Sequence, residues 1–162
     1  MAEKKYTGSD WRFMQVGLVV KDMAQTIKSL EALGFGPFKP KYLPPGTKSA
    51  LPNKPAASKN EVQRTTIGNV ELELISPVSG TSMQSEWMDK HGQGVQHVLF
   101  EVKNLDEEVR KLQEKGGTVL RHLSFNDDGG LAFVDLNAGG MVLELIQLPK
   151  DPEARKYTLS QD

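Results

Sequence analysis

The chain has 162 residues, 20 basic against 21 acidic, and a net charge of −1, with 38% hydrophobic and 25% charged residues. That balance excludes a general nucleic-acid or anionic-membrane surface, and no apolar run approaches the roughly 18 residues of a membrane helix, so neither partner is expected. With no cysteine, disulfides, thiolate nucleophiles and Cys-based zinc sites are ruled out. The N-terminal stretch lacks the apolar core of a secretion signal, and a cytoplasmic setting is the expectation.

Residues 1–11 are polar and read as a loose end. Residues 13–20 form a strand rich in Val and Leu, in which alternation puts Phe13, Gln15, Gly17 and Val19 on one face. Asp22 follows as a helix N-cap, Met23, Ile27, Leu30 and Leu33 make an apolar stripe, and Gly34 supplies the left-handed stop. Residues 35–42 suit a short strand. Residues 44–60 are rich in Pro, Gly, Ser and Lys, which excludes a packed helix or central strand. They form either a surface insertion or a mobile lid over a site. Two strands follow, 61–67 and 69–76, joined by a turn at Gly68-Asn69.

Residues 77–94 link two halves, with a short helix at 82–90 that exposes Glu86 and Asp89. The second half opens with a strand at 95–102. Asn104 caps a helix whose first turn is acidic and whose later turns are basic, the charge order that suits a helix dipole. Strands at 118–124, 131–135 and 141–148 complete it, with a turn at 126–130 and a polar tail at 150–162.

The halves are repeats. A shift of 82 residues places Gln15 on His97, Asp22 on Asn104, Leu30 on Leu112 and Gly34 on Gly116. A shift of 71 places GNVELELI on GGMVLELI, and with it Glu73 on Glu144. An internal repeat fixes architecture before any other reading. Here it predicts an α+β fold of two paired βαβββ modules. The expectation is one domain over 12–148, built of repeats 12–76 and 95–148, with flexible ends at 1–11 and 149–162. A helix on one face of each sheet leaves the other face to line a shared cleft.

Gln15, Glu73, His97 and Glu144 sit mid-strand among hydrophobic neighbours, where a polar side chain is costly unless paired or coordinated. Two facing carboxylates repel, and a bound cation removes that penalty. One imidazole, two carboxylates and an amide oxygen suit Zn²⁺, Fe²⁺, Mn²⁺, Co²⁺ or Ni²⁺, so one divalent metal is the expected cofactor. The competing reading is ordinary alternation with a solvated face, since Glu71 and Glu73 share parity.

On these residues the chain resembles the vicinal oxygen chelate superfamily, also called the glyoxalase/bleomycin resistance/dioxygenase group. The segment GQGVQHVLFEVKNLDEEVRKLQEKG, with VELELISPV before it and MVLELIQLP after it, is particularly similar to methylmalonyl-CoA epimerases. The resemblance implies a glyoxalase-like cleft around one divalent metal held by Gln15, Glu73, His97 and Glu144, a CoA thioester or thiol adduct as substrate, and a homodimer. It also implies an enzyme that removes a proton next to a carbonyl and holds the enolate on the metal. Glu144 is the proton-transfer candidate, with Glu73 or Glu61 opposite it. Epimerases of this kind carry His where this chain has Gln15, and the place of their second carboxylate falls at residues 57–58, which hold no acid; Glu61 is the nearest. Gln15 instead resembles the ligand of zinc-using lactoylglutathione lyases. A metal-free binding or resistance protein of the same fold is the alternative outside enzymes. It would need an aromatic lining, for which Trp11, Phe13, Trp87 and Phe100 are the candidates. Lysines 39, 41, 48, 54 and 59 could meet CoA phosphates or simply keep the loop soluble.

Overall fold

A computed structural model describes residues 8–49, 58–125 and 128–158. The order is β1 (Arg12–Val19), α1 (Met23–Ala32), β2 (Lys39–Pro40), β3 (Lys48–Ser49), β4 (Lys59–Ile67), β5 (Val70–Ser79), α2 (Met83–His91), β6 (Gly94–Glu101), α3 (Leu105–Glu114), β7 (Thr118–Ser124), β8 (Gly130–Asp135), β9 (Val142–Gln147) and α4 (Pro152–Thr158). The strands form one sheet in the order β2-β4-β5-β1-β6-β9-β8-β7-β3.

The two modules meet where β1 and β6 pair antiparallel at the centre. Each central strand pairs in parallel with the last long strand of its own half, in the same register. Gly17, two residues past Gln15, pairs with Glu73; Leu99, two residues past His97, pairs with Glu144. The repeat seen in the sequence is therefore a repeat in space.

The sheet curls. Eight inter-strand gaps laid flat would span about 38 Å. The eight residue steps from Pro40 on one edge to Lys48 on the other reach about 29 Å at most. The edges must come together, and the concave face becomes the cleft. In crossing, the segment after β2 leaves its own half and places β3 beside β7 of the other, with Lys48 opposite Ser124. Of the stretch read as insertion or lid, residues 44–49 cross to the other half, and 50–57, with Lys54, lie outside the described residues.

Helices α1 and α3 cover the outer face, while α2 packs on the cleft side through Met83 and Trp87. The Asp22 carboxylate accepts from the Gln25 amide at 2.9 Å, and Asn104 accepts from Glu107 at 3.1 Å, so both predicted caps form. Val109 and Leu112 of α3 pack on Ala132, Val134, Leu143 and Leu145, while Met23 of α1 packs on Val20 and Leu74. Leu33 departs from the expected stripe. It is the C-cap of α1 and is 73% exposed.

Two further departures have physical causes. Phe13 does not share a face with Gln15. The pairing of β1 with β6 skips Met14, so Phe13 meets Phe100 while Gln15 meets Leu99, on opposite faces of β6. The polar tail carries α4, and its Lys156 carbonyl accepts from Arg64 at 3.5 Å.

Candidate active site

The four residues paired by the repeat converge under the concave face. Gln15, Glu73, His97 and Glu144 are each at most 4% exposed. Nε2 of His97 lies 3.2 Å from Gln15 Oε1, 3.4 Å from Glu73 Oε2 and 3.1 Å from Glu144 Oε2. Metal–ligand bonds of about 2.0–2.2 Å hold neighbouring donor atoms about 3.0–3.5 Å apart, so these spacings match donors sharing one cation. Glu144 Oε2 is buried and faces His97 Nε2 without a well-aligned hydrogen bond. An anionic oxygen in that condition has room for a cation to satisfy it.

The strands explain the convergence. Gly17 is directly opposite His97 across β1 and β6. A Cβ at residue 17 would lie 1.9 Å from Cε1 and 2.2 Å from Nε2 of the imidazole. Only glycine lets the ring lie across β1 toward Gln15. Phe133 closes the other side, edge-on to the ring at a centroid distance of 5.4 Å. His97 Nδ1 is 3.1 Å from Gln96 Oε1. With Nδ1–H donating there, Nε2 is left to face the three oxygens.

Glu71 and Glu73, alike in sequence, separate in space. Glu73 faces His97, whereas Glu71 accepts from the Gln15 amide nitrogen and pairs with Arg64 at 3.4 Å. Glu71 thereby turns the Gln15 amide so that its oxygen faces His97, while its nitrogen also donates to Glu73 Oε1 at 3.5 Å. Lys41, just past β2, reaches in to place Nζ 2.7 Å from Glu73 Oε1. Burial alone would raise the Glu73 pKa, but Lys41 and His97 pull it down to about 2. Burial alone would lower that of His97, but Glu144 and Glu73 raise it to about 9. Lys41 is likewise raised, its burial outweighed by Glu73, Glu144 and Glu71. With no cation between them, the two carboxylates are balanced by an imidazolium and an ammonium.

Glu61 is not brought to the cluster. It is exposed on β4 and pairs with Ser76, while its neighbours Asn60 and Val62 turn into the cleft. The cleft holds a half-open pocket of about 320 Å³, lined by Glu73, Glu144, Lys41 and Arg121 together with Asn60, Gln84 and apolar side chains.

A model of the Glyoxalase/Bleomycin resistance protein/Dioxygenase superfamily matches residues 14–133. The chain belongs to this superfamily. Hypothetical protein BH1468 from Bacillus halodurans C-125 has a similar structure, with a TM-score of 0.66 at 18% identity over 88% of this chain and 98% of that one. Methylmalonyl-CoA epimerase from Mycobacterium tuberculosis gives 0.63 at 19% identity, over 96% and 97%. A Streptomyces coelicolor methylmalonyl-CoA epimerase variant in complex with 2-nitronate-propionyl-CoA gives 0.59 at 21%, over 84% and 96%. At such identities the likeness is one of fold. No curated protein matches the chain. Among the described residues no helix is long and apolar enough to cross a membrane.

Within this superfamily fold, the aromatic residues considered for a binding-protein lining are placed elsewhere. Trp11 and Phe13 stack on Phe100, and Trp87 stacks on His91 with its Nε1 on the Gly140 carbonyl at 3.3 Å. Tyr42 and Phe133 are the aromatics that line the cavity. Sequence reasoning passed over Arg121, an ionisable residue in the middle of a strand, the same signal that marks Glu73 and Glu144. Lys41 carries no such mark, because a loop delivers it.

Proposed function

We propose that the chain is a divalent-metal-dependent isomerase or lyase that moves a proton next to a carbonyl, closest in kind to methylmalonyl-CoA epimerase. The observation that carries this reading is the convergence of three carboxylate and amide oxygens on His97 Nε2, 3.1–3.4 Å away, at the wall of the cleft cavity. Gln15, Glu73, His97 and Glu144 would hold the cation. When bound, it supplies a Lewis acid that draws off negative charge developing on a carbonyl oxygen.

The chain's own residues do the rest. Glu144 lines the cavity, with Oε2 3.1 Å from His97 Nε2, and a carboxylate held there can take a proton from a carbon beside the carbonyl and return it. Glu73, kept ionised by Lys41 at 2.7 Å, is its counterpart in the same cluster. Leu123, Leu131 and Ile75 line the cavity and limit the water that would otherwise quench the carbanion. The reading includes a cytoplasmic homodimer acting on a CoA thioester or thiol adduct, as the family resemblance implies. Gln15 favours a second reading, a lactoylglutathione lyase-like enzyme, whose ligand set of Gln, Glu, His and Glu it resembles.

The test is α-proton exchange on methylmalonyl-CoA in deuterated water, run beside isomerisation of a glutathione hemithioacetal. The metal-loaded protein should catalyse one of the two, and Glu144→Gln should lower that rate by about 10²–10⁴-fold, the usual contribution of a positioned acid–base group. Full activity in Glu144→Gln would remove Glu144 from the reaction, and inactivity on both substrates by metal-loaded protein would sink the reading.

A further inference from the structure

The two halves are alike enough to compare residue by residue, and they differ at places that touch the ligands. Under the shift of 82 residues, Gln96 falls on Met14. Both are extra residues in the ladder of β1 with β6. Phe13 pairs with Phe100 and Gln15 with Leu99, which leaves out Met14; Gly17 pairs with His97 and Leu18 with Val95, which leaves out Gln96. A bulge thus precedes each central-strand ligand, and bulges re-aim the side chains beside them. Strand β7 has an extra residue too, Leu120, ahead of Arg121. Under the shift of 71, Glu71 falls on Val142, and the register agrees: Gln15 pairs with Glu71 as His97 pairs with Val142.

Each half therefore carries a polar residue that the other replaces with an apolar one, and each polar residue touches its own half's ligand. Gln96 is fully buried, with Oε1 3.1 Å from His97 Nδ1. Glu71 accepts from the Gln15 amide nitrogen. Met14 and Val142, at the matching places, belong to the apolar packing on the cleft side. The needs of the two ligands explain the difference. An imidazole ligates through Nε2 when its proton sits on Nδ1, so it needs an acceptor there. An amide ligates through its oxygen when its N–H groups are held elsewhere, so it needs an acceptor for them. Gln96 Nε2 has no hydrogen-bond partner among the described residues, and a buried amide left so is costly. Turning that amide over would set its N–H groups against Nδ1 and put the ring proton on Nε2, facing the three oxygens. Glu71 is held in its turn. Arg64 Nη1 lies 3.4 Å from Glu71 Oε2, and Arg64 Nη2 donates to the Lys156 carbonyl of α4 at 3.5 Å. With Glu73 Oε1 3.5 Å from the same Gln15 nitrogen, a reversed Gln15 amide would set its oxygen against two carboxylates.

We propose that Glu71 and Gln96 are the positioning residues of the metal cluster, each fixing which atom of one ligand faces the cation, Glu71 for Gln15 and Gln96 for His97. This rests on the reading of the cluster as a metal site. It accounts for an amide and an imidazole occupying equivalent places in the two halves: each comes with the acceptor it requires, and neither half carries the other's. Losing either residue removes no donor atom, so its effect on affinity is one of orientation. Groups that orient metal ligands in this way typically carry about 10–100-fold in metal affinity.

The test is calorimetric titration of Co²⁺ into the chelator-treated full chain. Giving each half what the other carries, Glu71→Val or Gln96→Met, should weaken binding about 10–100-fold. Glu71→Gln and Gln96→Glu keep an oxygen acceptor and should bind within about threefold of the native chain. In a Gln15→Ala background there is no amide left to orient, so adding Glu71→Val should weaken binding by less than about twofold more. The full loss in that background would mean that Glu71 acts through its charge or the fold, and would overturn its role. If Glu71→Val alone does not fold, Glu71→Val with Arg64→Met, which removes the charge left behind, reads the same quantity. For Gln96 the second readout is the shifted Nδ1–H signal of His97 in the proton NMR spectrum of the Co²⁺-loaded chain. It should be present in the native chain and Gln96→Glu, and moved or lost to exchange in Gln96→Met; an unmoved signal in Gln96→Met would overturn the role of Gln96. A native chain that takes up no Co²⁺ would sink the metal reading and this inference together, whereas native binding left unchanged by Glu71→Val and Gln96→Met would sink this inference alone.

Discussion

Gly17 and His97 face each other across the central strand pair, and the cluster depends on one of them having no side chain. Because a methyl at residue 17 would sit 1.9 Å from the imidazole, Gly17→Ala must displace the ring from its three oxygens. Overpacking of that kind costs about 1–3 kcal/mol. Gly17→Ala should show that loss in chemical denaturation and bind Co²⁺ at least tenfold more weakly; native-like Co²⁺ affinity would mean that His97 has another place to go. The charge on His97 gives a second prediction. Its folded-state pKa, raised to about 9 from 6.5, stabilises the metal-free protein fully below 6.5, and that stabilisation is lost as pH rises through 9. Glu73, lowered from 4.5 to about 2, contributes above 4.5 and is lost as pH falls through 2. The metal-free melting temperature should therefore be highest between pH 4.5 and 6.5 and fall toward 9.5. Metal affinity should run the other way. A ligand imidazole must be neutral, so binding releases the His97 proton and apparent affinity rises about tenfold per pH unit up to about 9. A flat affinity between pH 7 and 9 would show that His97 is not protonated in the metal-free site.

Among the elements, α3 and the cleft occupy opposite faces of the sheet. Leu112→Ala, on the α3 side, should cost about 2–5 kcal/mol by cavity formation yet leave Co²⁺ affinity within twofold, measured by denaturation and titration respectively. A large loss of affinity would mean that the two faces are coupled. This division also explains what could be read from sequence. Helix α3 announces itself through Asn104, the acidic first turn and Val109 and Leu112 at helical spacing. Glu73 and Glu144 stand out because an ionisable residue in an apolar strand needs a reason. Phe13 and Arg121 could not be aimed in advance: a bulge adds one residue and reverses the face of those beyond it, and nothing in composition marks Met14 or Leu120 as the extra residue. Lys41 could be read only as one loop lysine among several, because its place beside Glu73 is a property of tertiary structure. Helix α4 was missed for a similar reason, since its polar sequence PEARKYT carries no apolar stripe.

For the whole molecule, the central relation is the shared register of the two halves. Gln15 with Glu73, and His97 with Glu144, occupy equivalent places in parallel strand pairs, and the antiparallel contact of β1 with β6 turns the two sets toward one point. The curl of the sheet closes a small cavity over that point, with Lys41 brought in from one edge and Arg121 from the far side. Each half alone supplies two of the four donors, so a cation would be held only by the joined molecule. The most direct test is the metal content of the purified protein by elemental mass spectrometry, after supply of Co²⁺, Ni²⁺, Mn²⁺ or Zn²⁺ without chelators. About one divalent ion per chain, lost in His97→Ala, is the predicted result. A chain that takes up none of these ions, or a His97→Ala variant that keeps a full complement, would contradict the account.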